Sequence, residues 1–332
     1  MDTTQVRWQK VIAPYARSDP RHSIVQMATS ILPFVALFLL ALWSFKISVW
    51  LILPLGVLAA GFMVRTFIIF HDCGHGSFFK SQRANDIVGF ITGVLTLTPY
   101  YSWKHDHAIH HATSGDLDRR GVGDVYTMTV DEYRAAPWWK RFGYRVMRNP
   151  IALLLFGPVL VFVILQRFPQ KNGRREQASV WWTDLALVCI GAALSVVFGW
   201  QAYALVQLLV ILFGGSVGLW MFYVQHNFDG VYWERHARWN YLQASLRGSS
   251  FYQLPPLLNW FTGNIGFHHI HHLGARIPNY NLARAYKENP LFHVPPLTLR
   301  SSLKCLKWRL YDEASRRLVG WDTLRKYGTQ GL

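Results

Sequence analysis

Four long, mostly apolar runs constrain this chain more than any other feature. Residues 24–45, 47–70, 180–200 and 203–224 each meet the requirement of about 20 mostly apolar residues for crossing hydrocarbon. A soluble helix would confine its apolar side chains to one stripe; these runs are apolar all round. With no water in the bilayer core, each backbone polar group must find a partner within its own segment, and a helix supplies one. The expected fold class is therefore an all-α integral membrane protein with four transmembrane helices.

Two shorter apolar stretches are expected not to cross. Residues 87–101 are too few and carry threonines. Residues 151–166 are broken by Gly157 and Pro158 and flanked on both sides by cations, Arg141, Arg145 and Arg148 before, Arg167, Arg174 and Arg175 after. Cations at both ends suit a re-entrant or surface-lying segment. The formal charge of +16 is unevenly placed: Lys46 is the only cation between the first two runs, and the last two have none between them. The remaining Lys and Arg fall mostly on residues 71–179 and 225–332, which the positive-inside bias assigns to the cytosol. Those segments would form a helical catalytic cap on a single domain, 1–332. A basic face suits anionic headgroups, and without an aromatic-and-basic groove or motif no nucleic-acid partner is expected. Three scattered cysteines, Cys73, Cys189 and Cys305, make no disulfide framework. The first twenty residues lack the pattern of a signal peptide.

Ten of the fourteen histidines fall in three windows, HDCGH (His71, His75), HDHAIHH (His105, His107, His110, His111) and HHIHH (His268, His269, His271, His272). In HxxHH the histidines stand at i, i+3 and i+4, so on a helix they share one face. His71 and His75 are likewise four apart. Imidazoles crowded in this way cannot all carry charge, and the neutral form is the one that ligates metal. His105 would point nearly opposite His107, and His269 sits at the edge of its triplet; both are left out of the ligand set. A ninth candidate is His226, just past the last apolar run. Asp72 and Asp106, each beside a candidate ligand, would orient an imidazole N–H or serve only as helix-start or surface acids.

Topology tests this convergence independently. Clusters that build one site must lie on one side of the bilayer, so an even number of crossings separates each pair. Residues 87–101 then cannot span, and one of the three stretches between His111 and His268 must fail to cross. The broken, doubly cationic 151–166 is the weakest. Parity, charge bias and ligand convergence agree on four spans with the site facing the cytosol.

Eight or nine imidazoles are too many for one tetrahedral zinc and suit two ions, although ligand type leaves the metal open. Position narrows the choice. A site fed from the lipid meets an acyl chain whose methylenes offer no polar handle. Breaking an unactivated C–H bond calls for an O₂-activating metal centre, and two irons with external electrons fit. No catalytic residue beyond the ligands is expected.

The three boxes, within HDCGHGSFFKS, SWKHDHAIHHATSGDLDRRGVGD and GNIGFHHIHHL, resemble those of the membrane fatty acid desaturases, and most closely the acyl-lipid omega-6 (delta-12) type. The likeness runs from about Arg65 to about Asn289. It implies a four-span helical fold, a non-haem di-iron centre and O₂-dependent formation of a cis double bond in a membrane-lipid acyl chain. The ligands it implies are His71, His75, His107, His110, His111, His268, His271 and His272, with His226 as the extra ligand before the third box. Without a His-Pro-Gly-Gly segment no fused cytochrome b5 is expected; electrons would come from a separate carrier such as a ferredoxin. A related di-iron hydroxylase or carotenoid ketolase would share fold and ligands. A metal transporter would need ionisable residues in its spans, which hold almost none besides Arg65 and Asp184.

The substrate slot is expected beside the boxes, on residues 87–101 and at Trp260 and Phe261. Leu303, Leu306, Leu310, Ala314 and Leu318 recur at helical spacing among cations and predict an amphipathic helix, on the inner leaflet or packed against the domain.

Overall fold

The computed structural model describes residues 8–170 and 173–328. Residues 1–7, at the head of the polar N-terminal stretch, lie outside it, as do 171–172 and 329–332. Four long apolar helices form the membrane body: α1 (Pro20–Ser44), α2 (Ile52–Gly74), α6 (Arg174–Phe198) and α7 (Trp200–His226). Asp19 starts α1 by accepting the Arg21 N–H at 2.9 Å, with Pro20 in the first turn where its missing donor costs nothing. Helices α6 and α7 are separated by Gly199 alone, whose φ of +94° permits the reversal.

Small residues let α1, α2 and α7 approach closely. Ala41 of α1, Ala59 and Ala60 of α2 and Ala202 of α7 share one buried cluster with Phe34, Leu42 and Val206, and a Cβ at Gly56 would collide with Leu209. Such approach replaces the hydrophobic drive that lipid cannot provide. The outward faces stay apolar, with Leu32, Val188 and Val196 exposed, because hydrocarbon is their solvent. Arg65 and Asp184, the charged residues inside the four apolar runs, both have partners. Arg65 lies over the Trp260 ring at 3.8 Å and donates to its carbonyl; Asp184 pairs with Arg167 at 2.6 Å.

The cap rises from the same ends of these helices. Helix α3 (Gln82–Leu95), capped by Ser81, is 14 residues long and does not qualify as a span; it leads through Thr96 and Leu97 into α4 (Tyr100–Thr113). Helix α5 (Trp138–Met147) is followed by Ala152–Arg167, bent from it by 70° and wound partly as π-helical turns around Pro158. Ser216 of α7 donates to the Leu154 carbonyl at 2.5 Å and so ties this irregular segment to the bundle. Further on come α8 (Tyr241–Gly248), α9 (His268–Leu273) and α10 (Asn279–Glu288). Ile270, Leu273, Ile277, Leu282 and Phe292 bury against Tyr223 and Val224 at the end of α7, which roots the cap in the bundle.

The expected helical membrane fold with four spans is observed, and one local expectation needs correction. Among the described residues the helices are joined by four strands of three residues each. Strand β1 (Phe251–Gln253) pairs in parallel with β2 (Pro296–Thr298), and β3 (Leu310–Asp312) pairs antiparallel with β4 (Arg317–Val319), Tyr311 opposite Leu318. The amphipathic helix expected over 303–318 is therefore replaced, from Leu310 onward, by a hairpin. Asp312 accepts from the amides of Ala314 and Ser315 and from the Ser315 hydroxyl at 2.6 Å, an Asx-type turn that competes with helix. Leu310 and Leu318 then bury beside Tyr144 and Trp233.

Candidate metal centre

Four helix segments deliver the histidines. His71 stands on the last turn of α2 and His75 caps its end; His107, His110 and His111 lie on α4, His226 ends α7, and α9 carries His268, His271 and His272. All nine nominated histidines come together, in two groups. His71, His75, His107, His111 and His271 form one, and His110, His226, His268 and His272 the other, with the potential ligand atoms of each group within 4.8 Å of one another.

The partition cuts across the sequence boxes. In each HxxHH helix the i,i+4 pair goes to one group and the third histidine to the other: His107 and His111 against His110, His268 and His272 against His271. A helical face thus serves two adjacent points, which the shared face expected from spacing alone did not distinguish.

The donor chemistry fits a metal at each point. Nε2 atoms face Nε2 atoms, His71 to His107 at 3.1 Å, His107 to His111 at 3.2 Å and His111 to His271 at 3.1 Å; likewise His110 to His226 at 3.2 Å, His226 to His268 at 2.9 Å and His268 to His272 at 3.1 Å. Each Nε2 offers either one proton or one lone pair, so these chains of contacts cannot all be hydrogen bonds. Ligand atoms that share a metal ion account for such an arrangement, and each group is placed to hold one. Burial, reinforced by neighbouring imidazoles, holds His107, His110, His111, His268, His271 and His272 well below the ordinary histidine pKa, in the neutral form that ligates.

Outer partners fix some of the rings. His71 Nδ1 lies 3.3 Å from Asp72 Oδ1, and His226 Nδ1 lies 3.3 Å from the Gly248 carbonyl. Asp72 is itself held by the backbone and side-chain amides of Asn279, at 2.7 and 2.8 Å. Asp106 borders the apolar cavity described below, and its backbone is crossed by Gly123, where a Cβ would lie 2.8 Å from the Asp106 carbonyl. The two histidines left out of the ligand set stay out of both groups. His105 is exposed, and His269 turns away to donate from Nε2 to the Phe292 carbonyl at 2.9 Å.

A cavity of about 320 Å³ runs from His71, His107 and His268 between α2, α7 and the bent 152–167 segment. Its walls are apolar, with Met63, Phe67, Phe162, Leu219, Met221 and Phe222 prominent. Of the lining expected from residues 87–101 only Thr96 takes part, and Trp260 and Phe261 do not. Trp260 is taken up by Arg65, and Phe261 packs on Phe62 with centroids 5.2 Å apart. The overlooked walls had a signal in GGSVG, since Gly214, Gly215 and Gly218 all border the cavity. Trp103, stacked on His107 at 4.2 Å, could also have been read from its i,i+4 spacing to a ligand. Asn279 had no sequence signal.

A four-span helical bundle whose cap holds two buried polyhistidine groups at the end of an apolar cavity defines a membrane di-metal oxidoreductase acting on lipid chains. The comparisons with known proteins agree and narrow it. Residues 48–298 match the fatty acid desaturase family, and the chain belongs to that family. It is 47% identical over 97% of its length, and 92% of the relative's, to a fatty acid desaturase of Bacillus subtilis. Omega-6-type relatives are more distant: the sn-1 oleoyl-lipid 12-desaturase of Synechocystis is 28% identical over 85% of this chain and 80% of its own. A ferredoxin-dependent sn-1 acyl-lipid omega-3 desaturase of Synechocystis is 27% identical over 71% and 67%. The protein is a fatty acid desaturase with a histidine-cluster di-metal site.

Proposed function

We propose that both metals are iron and that the substrate is an acyl chain of a membrane lipid, which gains one cis double bond. His71, His75, His107, His111 and His271 would hold one ion and His110, His226, His268 and His272 the other. The observation that carries this reading is the double convergence of neutral imidazole nitrogens at the end of an apolar cavity. All-nitrogen donors suit iron among other metals, and the inert C–H bonds of the substrate favour it. Bound iron would supply the O₂-dependent oxidising power that no side chain has. The overall change balances as –CH₂–CH₂– + O₂ + 2e⁻ + 2H⁺ → –CH=CH– + 2H₂O.

The protein's own contribution is position and dryness. Met63, Phe67 and Phe222 confine a chain to one path and exclude water that would compete for the oxidant. Asp72, by accepting from His71 Nδ1–H, leaves the Nε2 lone pair free for metal. The charge bias supports a cytosolic site, where a separate carrier such as a ferredoxin would deliver electrons. An omega-6 (delta-12) position is supported by the box sequences and by relatives of 28% identity; the Bacillus relative's name states no position.

The test is iron analysis of the purified protein together with expression in a host lacking polyunsaturated lipids and mapping of double bonds in its fatty acids. Two irons per chain and a new cis double bond are expected. A hydroxylated product overturns the reaction, and a protein that stays metal-free in excess iron overturns the site.

A further inference from the structure

The four-histidine group is connected to the protein surface through the backbone of two of its ligands. Two aromatic residues, Trp239 just before α8 and Tyr241 at its first position, reach the backbone of the four-histidine group. Tyr241 donates its hydroxyl to the His272 carbonyl at 2.7 Å. Trp239 donates its indole N–H to the Ser114 carbonyl at 3.0 Å, and the Ser114 amide in turn donates to the His110 carbonyl at 2.8 Å. The rings of Trp239 and Tyr241 are 6.2 Å apart, and both are partly exposed. From solvent inward there is thus a continuous aromatic and hydrogen-bonded connection to His110 and His272.

The rim around this pair is cationic on its outer side. Arg119 lies with its guanidinium 5.3 Å from the Trp239 ring centre and pairs with Asp116 at 2.6 Å; the arginine is 41% exposed and the aspartate fully buried. Arg238 is 66% exposed and pairs at 3.0 Å with Glu234, which is 13% exposed and shared with Arg316. Arg276 is also exposed, three residues beyond Leu273, whose carbonyl faces the Tyr241 hydroxyl at 3.4 Å. Asp116 and Glu234 are sunk while the guanidinium groups of Arg119 and Arg238 project, and the exposed Asp118 is neutralised by Arg235 at 2.7 Å, so an approaching protein meets a surplus of positive charge.

We infer that this face, centred on Trp239 and Tyr241 and rimmed by Arg119, Arg238 and Arg276, is the docking and electron-entry surface for a small acidic one-electron carrier protein. The inference rests on the desaturase reading and adds where that carrier binds. Each docking event oxidises the carrier by one electron and reduces the metal centre by one, and two events supply the two electrons that the reaction consumes. Aromatic side chains and hydrogen bonds couple donor and acceptor better than a gap of solvent does. Complementary charge raises the encounter rate.

The test uses full-length, iron-loaded protein in detergent, with reduction followed by stopped-flow absorbance. The reductants are a reduced [2Fe–2S] ferredoxin and, separately, dithionite. In the pair Arg238→Gln with Arg276→Gln, reduction by ferredoxin should slow about tenfold at low ionic strength, a difference that vanishes as salt rises. Dithionite should reduce that pair like the unaltered protein. Lys140→Gln with Arg141→Gln, on α5, should leave the ferredoxin rate unchanged. Tyr241→Leu should slow reduction at saturating ferredoxin with iron content intact, and Tyr241→Phe should slow it less. Ferredoxin rates unaffected in the Arg238/Arg276 pair, or slowed equally by the α5 pair, overturn the docking face alone. A loaded protein that dithionite itself cannot reduce overturns the desaturase reading and the docking face with it.

Discussion

Asp72 ties His71 to the cap: one carboxylate oxygen lies 3.3 Å from His71 Nδ1, and the other accepts both amides of Asn279 at the start of α10. One acid therefore sets the tautomer of a ligand on α2 and pins that helix end to a segment two hundred residues later in sequence. Replacing Asp72 with Ala should weaken metal binding by about 10–100-fold, the usual consequence of losing a ligand's orienting partner. Competition against a graded series of chelators measures this. Unchanged affinity would remove Asp72 from the site.

The nine clustered histidines and the two excluded ones should separate cleanly by metal content. His272→Ala should cost the four-histidine group its ion, and His75→Ala should weaken the five-histidine group. His105→Ala should keep both ions, since His105 is exposed. His269→Ala should also keep both but lower stability by about 1–3 kcal/mol, because the buried Phe292 carbonyl loses its donor. Plasma emission analysis and a thermal melt on the same preparations read the two effects apart. Loss of an ion from the His105 variant would redraw the ligand set.

Much of this architecture is legible in the chain because lipid imposes a simple code. The spans expected at 24–45, 47–70, 180–200 and 203–224 correspond to α1, α2, α6 and α7, and parity reasoning dismissed 87–101, which the structure folds as most of α3, the turn after it and the start of α4. What failed was local. The period that suggested a helix from Leu303 to Leu318 is real, but Asp312 followed by Ala314 and Ser315 builds a turn, and tertiary burial of Leu310 and Leu318 decides for strands. The cavity was misplaced for a different reason: Trp260 and Phe261 suggested a slot by being aromatic, whereas the space lies along α7, where glycines leave it open. The division of each HxxHH box between two groups depends on the relative rotation of α4 and α9, which no single-helix pattern contains.

Acid should destabilise the metal-free protein. The sign follows from burial: His107, His110, His111, His268, His271 and His272 have folded pKa values below the ordinary 6.5, so as pH falls through 6.5 the unfolded chain takes up protons that the folded one refuses. The stability these neutral rings contribute is complete above 6.5 and is lost as pH drops toward their folded values. Melting temperatures of chelator-treated protein across pH 8 to pH 5 check this, with a steep fall below roughly 6.5 expected. A flat profile would mean that the rings are not buried without metal.

Gly218 offers the sharpest probe of the cavity. It borders the cavity, and a Cβ built there meets no atom within 4 Å, so a side chain at 218 would extend into free space rather than into a neighbour. Gly215, one turn away, contrasts with it, since its Cβ would come within 2.8 Å of Pro158. Gly218→Ala should therefore fold at least as well as the parent, gaining up to about 1 kcal/mol of helix propensity. Gly218→Leu should keep its metal and its melting temperature while losing conversion of long acyl chains, or moving the double bond along them, because the leucine fills part of the 320 Å³ that a chain would occupy. Iron analysis, a thermal melt and double-bond mapping on the two variants separate obstruction from misfolding. A Gly218→Leu protein that is stable, metal-loaded and unchanged in its products would show that the substrate travels elsewhere.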